Sequence, residues 1–221
     1  DVDNKYGKGY EGVVQYPFGY GLSYGDFSWS YLGIEAKDKD GKTIDLNNSN
    51  FDGSTQFSVK VRVTNNSDFP ARDVVQLYYN PPYYPNGIEK ASVNLLSFAK
   101  TEVLQKDQSQ IVELNFTGYD MASYDCYDKN TNRNVGYELD RGNYQLLLRT
   151  DSHTDKKLLD ENNVELENNS INLNLNKTIR ITKDPVTGNR VTNRFTSYDV
   201  ITKQEDGTFA TEHIDAYGKS A

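Results

Sequence analysis

The chain has 221 residues, 36% of them hydrophobic, and sets 24 Lys and Arg against 32 Asp and Glu for a formal net charge of −8. That length fits one large domain or one domain with extensions, taking roughly 100–200 residues per domain, and the acidic balance disfavours nucleic acid and anionic membrane surfaces, which need a cationic footprint. The 17 Tyr and 9 Phe against one Trp and one Met point to sheets, because a tyrosine ring packs on a pleated surface while its hydroxyl reaches water or a carbonyl.

Residues 1–25 are rich in Gly and Tyr, lack helical periodicity and read as an extended, turn-filled lead-in. From Phe27 the pattern changes: Phe27, Trp29 and Tyr31 alternate with small or polar residues, as in a strand with one buried face. Asp38–Gly41 reads as a tight turn. Phe57, Val59, Val61 and Val63 alternate with Ser58, Lys60 and Arg62 in the clearest period-two segment, which ends in the loop signature Asn65–Asp68. Asp73–Tyr79 is a second strong strand, stopped by Pro81 and Pro82, which lack the N–H that a ladder requires. Leu95–Val103, Gln110–Phe116 and Tyr144–Arg149 supply three more strands, with a helical turn expected at Tyr119–Tyr124. Ile171–Leu175 and Thr178–Thr182 are short alternating strands, and Glu161–Asn176 reads as a long loop flanking the first of them. After Lys183 the chain turns at Asp184–Asn189 and becomes polar and weakly periodic, as a linker or strap would. Short strands, frequent turns and no long amphipathic helix predict an all-β sandwich.

Several segments then match a known family in order and spacing. Tyr16–Tyr24 (YPFGYGLSY) resembles the junction in family 3 glycoside hydrolases where an α/β domain hands over to a fibronectin type III-like domain. Val61–Asn66 with Ala71–Tyr78 resembles that domain's paired central strands, and Pro81–Tyr83 with Ile88–Lys90 its proline loop. Leu95–Leu104 resembles the strand with a Gly-Phe-x-Lys pattern, here with Ser97 where Gly is common. Met121–Asp125 resembles its helical turn, and Gly142–Tyr144 the opening of its last strand. The resemblance covers about residues 16–150 and implies a fibronectin type III/immunoglobulin-like β-sandwich with extended N- and C-terminal straps. The implied division is 1–25 as lead-in from the preceding α/β domain, 26–182 as the sandwich, and 183–221 as linker or strap. Asp184–Phe195 also resembles the connector of bacterial members whose domain order is permuted, with the barrel following.

The same resemblance implies a parent enzyme of β-glucosidase or β-xylosidase type. Its retaining mechanism would use an Asp on a barrel and a Glu on the following α/β domain, and neither motif occurs in this chain. The implied role is therefore a non-catalytic structural module that braces the catalytic α/β domains, its partners, and contributes to the rim of the substrate pocket. An independent module that binds β-linked oligosaccharides is the alternative, using Tyr79, Tyr83 and Tyr84 around the proline loop as sugar contacts, because aromatic faces stack on sugar rings. A cell-surface adhesion domain of immunoglobulin type shares the fold but leaves YPFGYGLSY unexplained.

Other residues carry little chemistry. Asp120 and Asp125 flank the helical turn, where capping accounts for them better than a pair of glycosidase carboxylates. His153 and His213 have no spaced second ligand and read as surface side chains. Asp38, Asp40 and Asp45 lack the terminal Glu of a calcium loop. Ser23 lacks the glycine spacing of a nucleophile elbow. Tyr144 reads as a tyrosine corner that stabilises the fold. The lone Cys126 excludes an internal disulfide and a Cys-built zinc site, and no catalytic residue, metal or cofactor is expected. No apolar run reaches the roughly 18 residues that span a bilayer, and residues 1–20 contain no signal-peptide core. A start at Asp1 is expected of an excised fragment, so bacterial cytoplasm, secretion and cell surface all stay open.

Overall fold

The computed structural model describes residues 13–48, 51–185, 187–191 and 197–215. Among the described residues thirteen strands run in chain order: β1 (Phe27–Lys37), β2 (Gln56–Asn65), β3 (Val74–Asn80), β4 (Asn94–Lys100), β5 (Ser109–Thr117), β6 (Ser123–Asp125), β7 (Gly136–Leu139), β8 (Gly142–Arg149), β9 (Leu158–Leu159), β10 (Ser170–Leu175), β11 (Ile179–Ile181), β12 (Ser197–Lys203) and β13 (Phe209–Asp215). No α-helix occurs among the described residues. The first sheet has the order β5-β2-β1-β9, with β9 parallel to β1, and the second has the order β10-β8-β3-β4. Together they form the two-layer sandwich expected of the fibronectin type III and immunoglobulin kind.

The alternation in β2 is the reason the first sheet packs as it does. Phe57, Val59, Val61 and Val63 all point inward and are buried, while Ser58, Lys60, Arg62 and Thr64 lie on the opposite face. Across the interior they meet Val75, Leu77 and Tyr79 of β3 and Tyr144, Leu146 and Leu148 of β8. Phe57 stacks on Phe116 at 4.8 Å, and Phe51 sets its edge against both Phe57 and Tyr144. Each fully buried side chain of this size contributes about 1.5–3 kcal/mol by leaving water. Trp29 closes one side of the core and satisfies its indole N–H by donating to Asp73 Oδ2 at 2.7 Å.

Tyr144 behaves as a tyrosine corner. It is buried, its hydroxyl meets the backbone of Asp140 four residues upstream, and burial pushes its pKa far above the ordinary phenol value. The expected turn at Tyr119–Tyr124 forms as a single 3-10 turn, Gly118–Met121. Asp120 Oδ2 accepts from the Thr117 N–H and hydroxyl at its start. At Asp38–Gly41 the chain reverses with Asp38 N–H donating to the Lys42 carbonyl.

Three features depart from the sequence reading. The strand read as Leu95–Val103 ends at Lys100: Thr101 N–H still donates to the Asp73 carbonyl, but the Asp73 N–H is taken by the Thr101 hydroxyl instead of its carbonyl. A third, small sheet (β11-β7-β6) forms beyond the helical turn: β11 is the strand expected at Thr178–Thr182, whereas β6 and β7 come from segments too short to show periodicity. In the C-terminal segment, read as weakly periodic, residues 197–215 fold into the hairpin β12–β13 around Gln204–Thr208. Its Asp206-Gly207 step is a hairpin signal, masked by polar residues on both faces of the flanking strands.

Candidate functional site

The second sheet has an outer face that is not finished in the ordinary way. Alternation assigns Gln76 and Tyr78 of β3 and Leu147 of β8 to that face, yet all three are buried. Over Gln76 and Tyr78 the cover comes from the N-terminal segment. Pro17–Tyr20 forms a turn, with Tyr20 N–H donating to the Pro17 carbonyl at 3.0 Å. Gln76 Nε2 donates to the Gly19 carbonyl at 2.9 Å and to the Thr150 carbonyl at 2.6 Å. The Phe18 carbonyl accepts from Ser152 N–H at 2.9 Å. The Tyr78 hydroxyl donates to Gln76 Oε1 at 2.7 Å, and burial holds its pKa above the usual phenol value. Only glycine fits at position 19: its φ is +82°, and a Cβ there would collide with Tyr78 Oη and Gln76 Oε1.

The backbone of this segment is thus tied to the sandwich while its side chains are not. Phe18 is 64% exposed, Leu22 73% and Tyr24 87%, with Tyr16 and Tyr20 also outward. Phe98 of β4, opposite Gln76 in the register, is exposed beside them. So many exposed rings in one neighbourhood are uncommon on a surface that faces only water.

The proline loop after β3 is the second candidate. The three tyrosines named as sugar contacts do not come together: Tyr79 is 7% exposed and faces the core, whereas Tyr83 is 53% exposed and Tyr84 also reaches solvent. Strand parity is the cause, since Tyr79 shares its side of β3 with Val75 and Leu77. Tyr79 offers no ring face to a ligand, and burial lifts its pKa to about 12. Tyr83 donates to Glu89 Oε1 at 3.2 Å, beside a cleft of about 520 Å³ that Asn80, Lys90 and Ser92 also line. Tyr84 donates to the Arg141 carbonyl at 2.8 Å. Its hydroxyl and Pro82 crowd Gly142, whose φ is +128° and where a Cβ would lie 2.7 Å from Pro82 Cβ.

Beneath the loop lies a polar cluster that sequence reasoning missed. Lys90 and Asp140 form an ion pair with both side chains only 4% exposed, and Lys90 Nζ also donates to the Pro82 carbonyl at 2.7 Å. Asn130 Nδ2 reaches Asp140 Oδ1 at 2.7 Å and Glu138 Oε2 at 2.9 Å. Asn132 and Asn134 donate to the same Glu138 carboxylate, which is wholly buried. The signal available was the Asn130-x-Asn132-x-Asn134 spacing ahead of Glu138, which in sequence looks like an ordinary polar loop.

The remaining named residues have local partners. Asp125 is buried and accepts from the backbone N–H groups of Lys129 and Asn130. Asp38 accepts from its own turn, and Asp45 from Asn47. Ser23 donates to the Gly25 carbonyl. His153 meets the Ser152 hydroxyl, and His213 faces Asp199 across β12–β13 at 2.7 Å. Among the described residues no group of three or more His, Cys, Asp or Glu side chains is placed to hold a metal ion.

Residues 73–152 match the fibronectin type III-like domain family. Over 152 residues the chain is 38% identical to β-glucosidase A of Butyrivibrio fibrisolvens, a match that covers 66% of this chain and 17% of that protein. Among solved structures, a β-glucosidase from Paenibacillus barengoltzii superposes with a TM-score of 0.55 at 24% identity, covering 91% of this chain and 20% of that one. The family 3 β-glucosidase of Bifidobacterium adolescentis superposes with a TM-score of 0.52 at 21% identity, covering 79% and 20%. The chain spans between 10% and 18% of the length of the curated relatives it matches. With the sandwich topology, the proline loop and these matches in agreement, the chain carries a fibronectin type III-like domain of the kind found in family 3 glycoside hydrolases related to β-glucosidases.

Proposed function

We propose that this domain braces the catalytic α/β domains of a parent glycosidase of β-glucosidase type. Residues 13–25 and the outer face of the second sheet form its docking surface. The observation that carries the reading is the division of labour in the N-terminal segment, whose carbonyls are bonded to Gln76 and Ser152 while its rings face outward. A segment built only to cap the sheet would turn its apolar side chains inward. Residues 26–182 would be the sandwich proper, and the turn at Asp184–Asn189 the start of the onward connector. Residues 1–12, 49–50, 186, 192–196 and 216–221 of those calls lie outside the described residues.

The test uses β-glucosidase A of Butyrivibrio fibrisolvens with the segment matching this chain deleted. The 221-residue chain should associate with it, and Phe18→Ser with Leu22→Ser should abolish association while leaving the circular dichroism spectrum unchanged. Equal association by the double variant would overturn the reading.

A second role rests on the exposed Tyr83 ring above its cleft: the proline loop contributes to a sugar-binding rim, together with Tyr84. Isothermal titration with β-gluco- and xylo-oligosaccharides should then give saturable heat that Tyr83→Ala removes. No heat at millimolar ligand would leave the bracing role alone.

A further inference from the structure

Between the N-terminal segment and the second sheet lies a cleft of about 480 Å³. Its lining includes Gly21, Leu22 and Ser23 on one side and Arg72, Val74 and Lys100 on the other. The chemistry of this lining is one-sided. Among the described residues Lys100 makes no ion pair, and Arg72 makes one loose contact, 3.4 Å to the exposed Glu102. The backbone N–H groups of Gly21, Leu22 and Ser23 donate to nothing among the described residues. One carboxylate, Asp73, also lines the cleft, but the Trp29 N–H already holds its Oδ2 at 2.7 Å.

The chain as a whole is acidic, with a formal net charge of −8. Two under-used cations and three unpaired amide donors around one cleft are therefore a local reversal of the protein's charge. From this juxtaposition we infer that the cleft is a socket for a carboxylate side chain, an Asp or Glu presented by the α/β domain that docks on the surrounding rings. The inference rests on the docking reading and adds the partner's chemistry to it. The aromatic collar supplies area without direction. The socket supplies register, because a carboxylate seated between Lys100 and the Gly21–Ser23 amides fixes where the partner sits. Docking would also exclude water from the cleft and strengthen that attraction, since charges interact more strongly as the local dielectric falls.

Two measurements separate this inference from the docking reading. In the association assay above, Lys100→Glu should weaken binding about tenfold or more, with Arg72→Glu adding to the loss. Wild-type association that neither charge reversal changes would overturn the socket and leave the docking surface standing. The second measurement needs no partner: amide NMR spectra of the 221-residue chain are recorded during titration with acetate, and with acetamide as the neutral control. The Gly21, Leu22 and Ser23 resonances should move with acetate, stay still with acetamide, and lose their response in Lys100→Gln. Resonances that respond equally to both probes, or to neither, would sink the inference whatever the association assay gives.

Discussion

The two outer faces of the sandwich are built to opposite ends. On the first sheet, β2 presents Ser58, Lys60, Arg62 and Thr64 outward, and Lys60 pairs with Glu35 in a setting open to solvent. That face is complete in water. The second sheet turns Gln76, Tyr78 and Leu147 outward, buries the first two under the N-terminal segment, and exposes a new layer of rings on top. At its far end, the proline loop is pinned by an ion pair removed from solvent. The same fold therefore has one face open to water and one that, on the proposed docking reading, is addressed to another protein surface. On that reading the domain's role is written on one side of it.

The ion pairs give the widest separation between the two faces. Lys90→Met would leave the Asp140 carboxylate buried with only the Asn130 amide for company. Breaking a buried pair from one side costs about 3–5 kcal/mol, so urea unfolding should show a large drop in midpoint. Restoring neutrality with Lys90→Met plus Asp140→Leu should recover part of the loss. If the single variant proved as stable as the parent chain, the second face would be no more tightly built than the first.

The shared interior responds to alkali. Tyr79 and Tyr31 are held protonated by burial, each with its pKa pushed up to about 12. Against a pKa of about 10 in the unfolded chain, the folded state keeps the proton longer. That stabilisation is complete below pH 10 and is lost as pH rises through 12. Two pKa units correspond to about 2–3 kcal/mol for Tyr79. Stability should thus fall between about pH 10 and 12, and Tyr79→Phe should flatten the fall. A profile unchanged by Tyr79→Phe would mean that this ring is not enclosed.

Gln76→Met tests the cover itself. It keeps the side chain's bulk and removes both donations, to the Gly19 and Thr150 carbonyls. The expected loss is about 1–2 kcal/mol, with faster amide exchange at Tyr20 and Ser152 and unchanged exchange in β2. Faster exchange throughout the sandwich would show that the segment is part of the core rather than a layer laid on it.

What could be read from the sequence follows the same division. β2 was legible because its inward set, Phe57 to Val63, alternates with the polar residues Ser58, Lys60 and Arg62 on the opposite face. β3 was legible as a strand, but its outer side was not. Gln76 and Tyr78 are buried by Gly19 and Phe18, more than 50 residues upstream, and no local pattern reports so distant a cover. The proline-loop site was half legible. Composition singled out Tyr79, Tyr83 and Tyr84 together, while parity sends Tyr79 into the core and leaves the other two outside. The amides converging on Glu138 could not be foreseen, because they meet only once β7 folds back along β6. The hairpin β12–β13 had its turn signal in Asp206-Gly207, but among its described side chains Ile214 alone is buried, too little to give it a period.

The smallest effect belongs to the face addressed to water, and there its smallness is the point. Lys60 and Glu35 lie 2.7 Å apart with side chains 34% and 54% exposed. Hydrogen bonding and charge from the partner raise the Lys60 pKa and lower that of Glu35. The lowered Glu35 value favours the fold above the ordinary carboxylate range, and that preference fades as pH falls through it. Because both groups remain hydrated, salt screens the attraction and ordering two long side chains offsets it. Lys60→Gln should leave the unfolding midpoint within error at physiological ionic strength and reduce it only slightly in dilute buffer. A clear loss of stability that persists in high salt would mean that water does not reach this pair. The first face would then also be an interface, and the asymmetry on which the docking assignment depends would disappear.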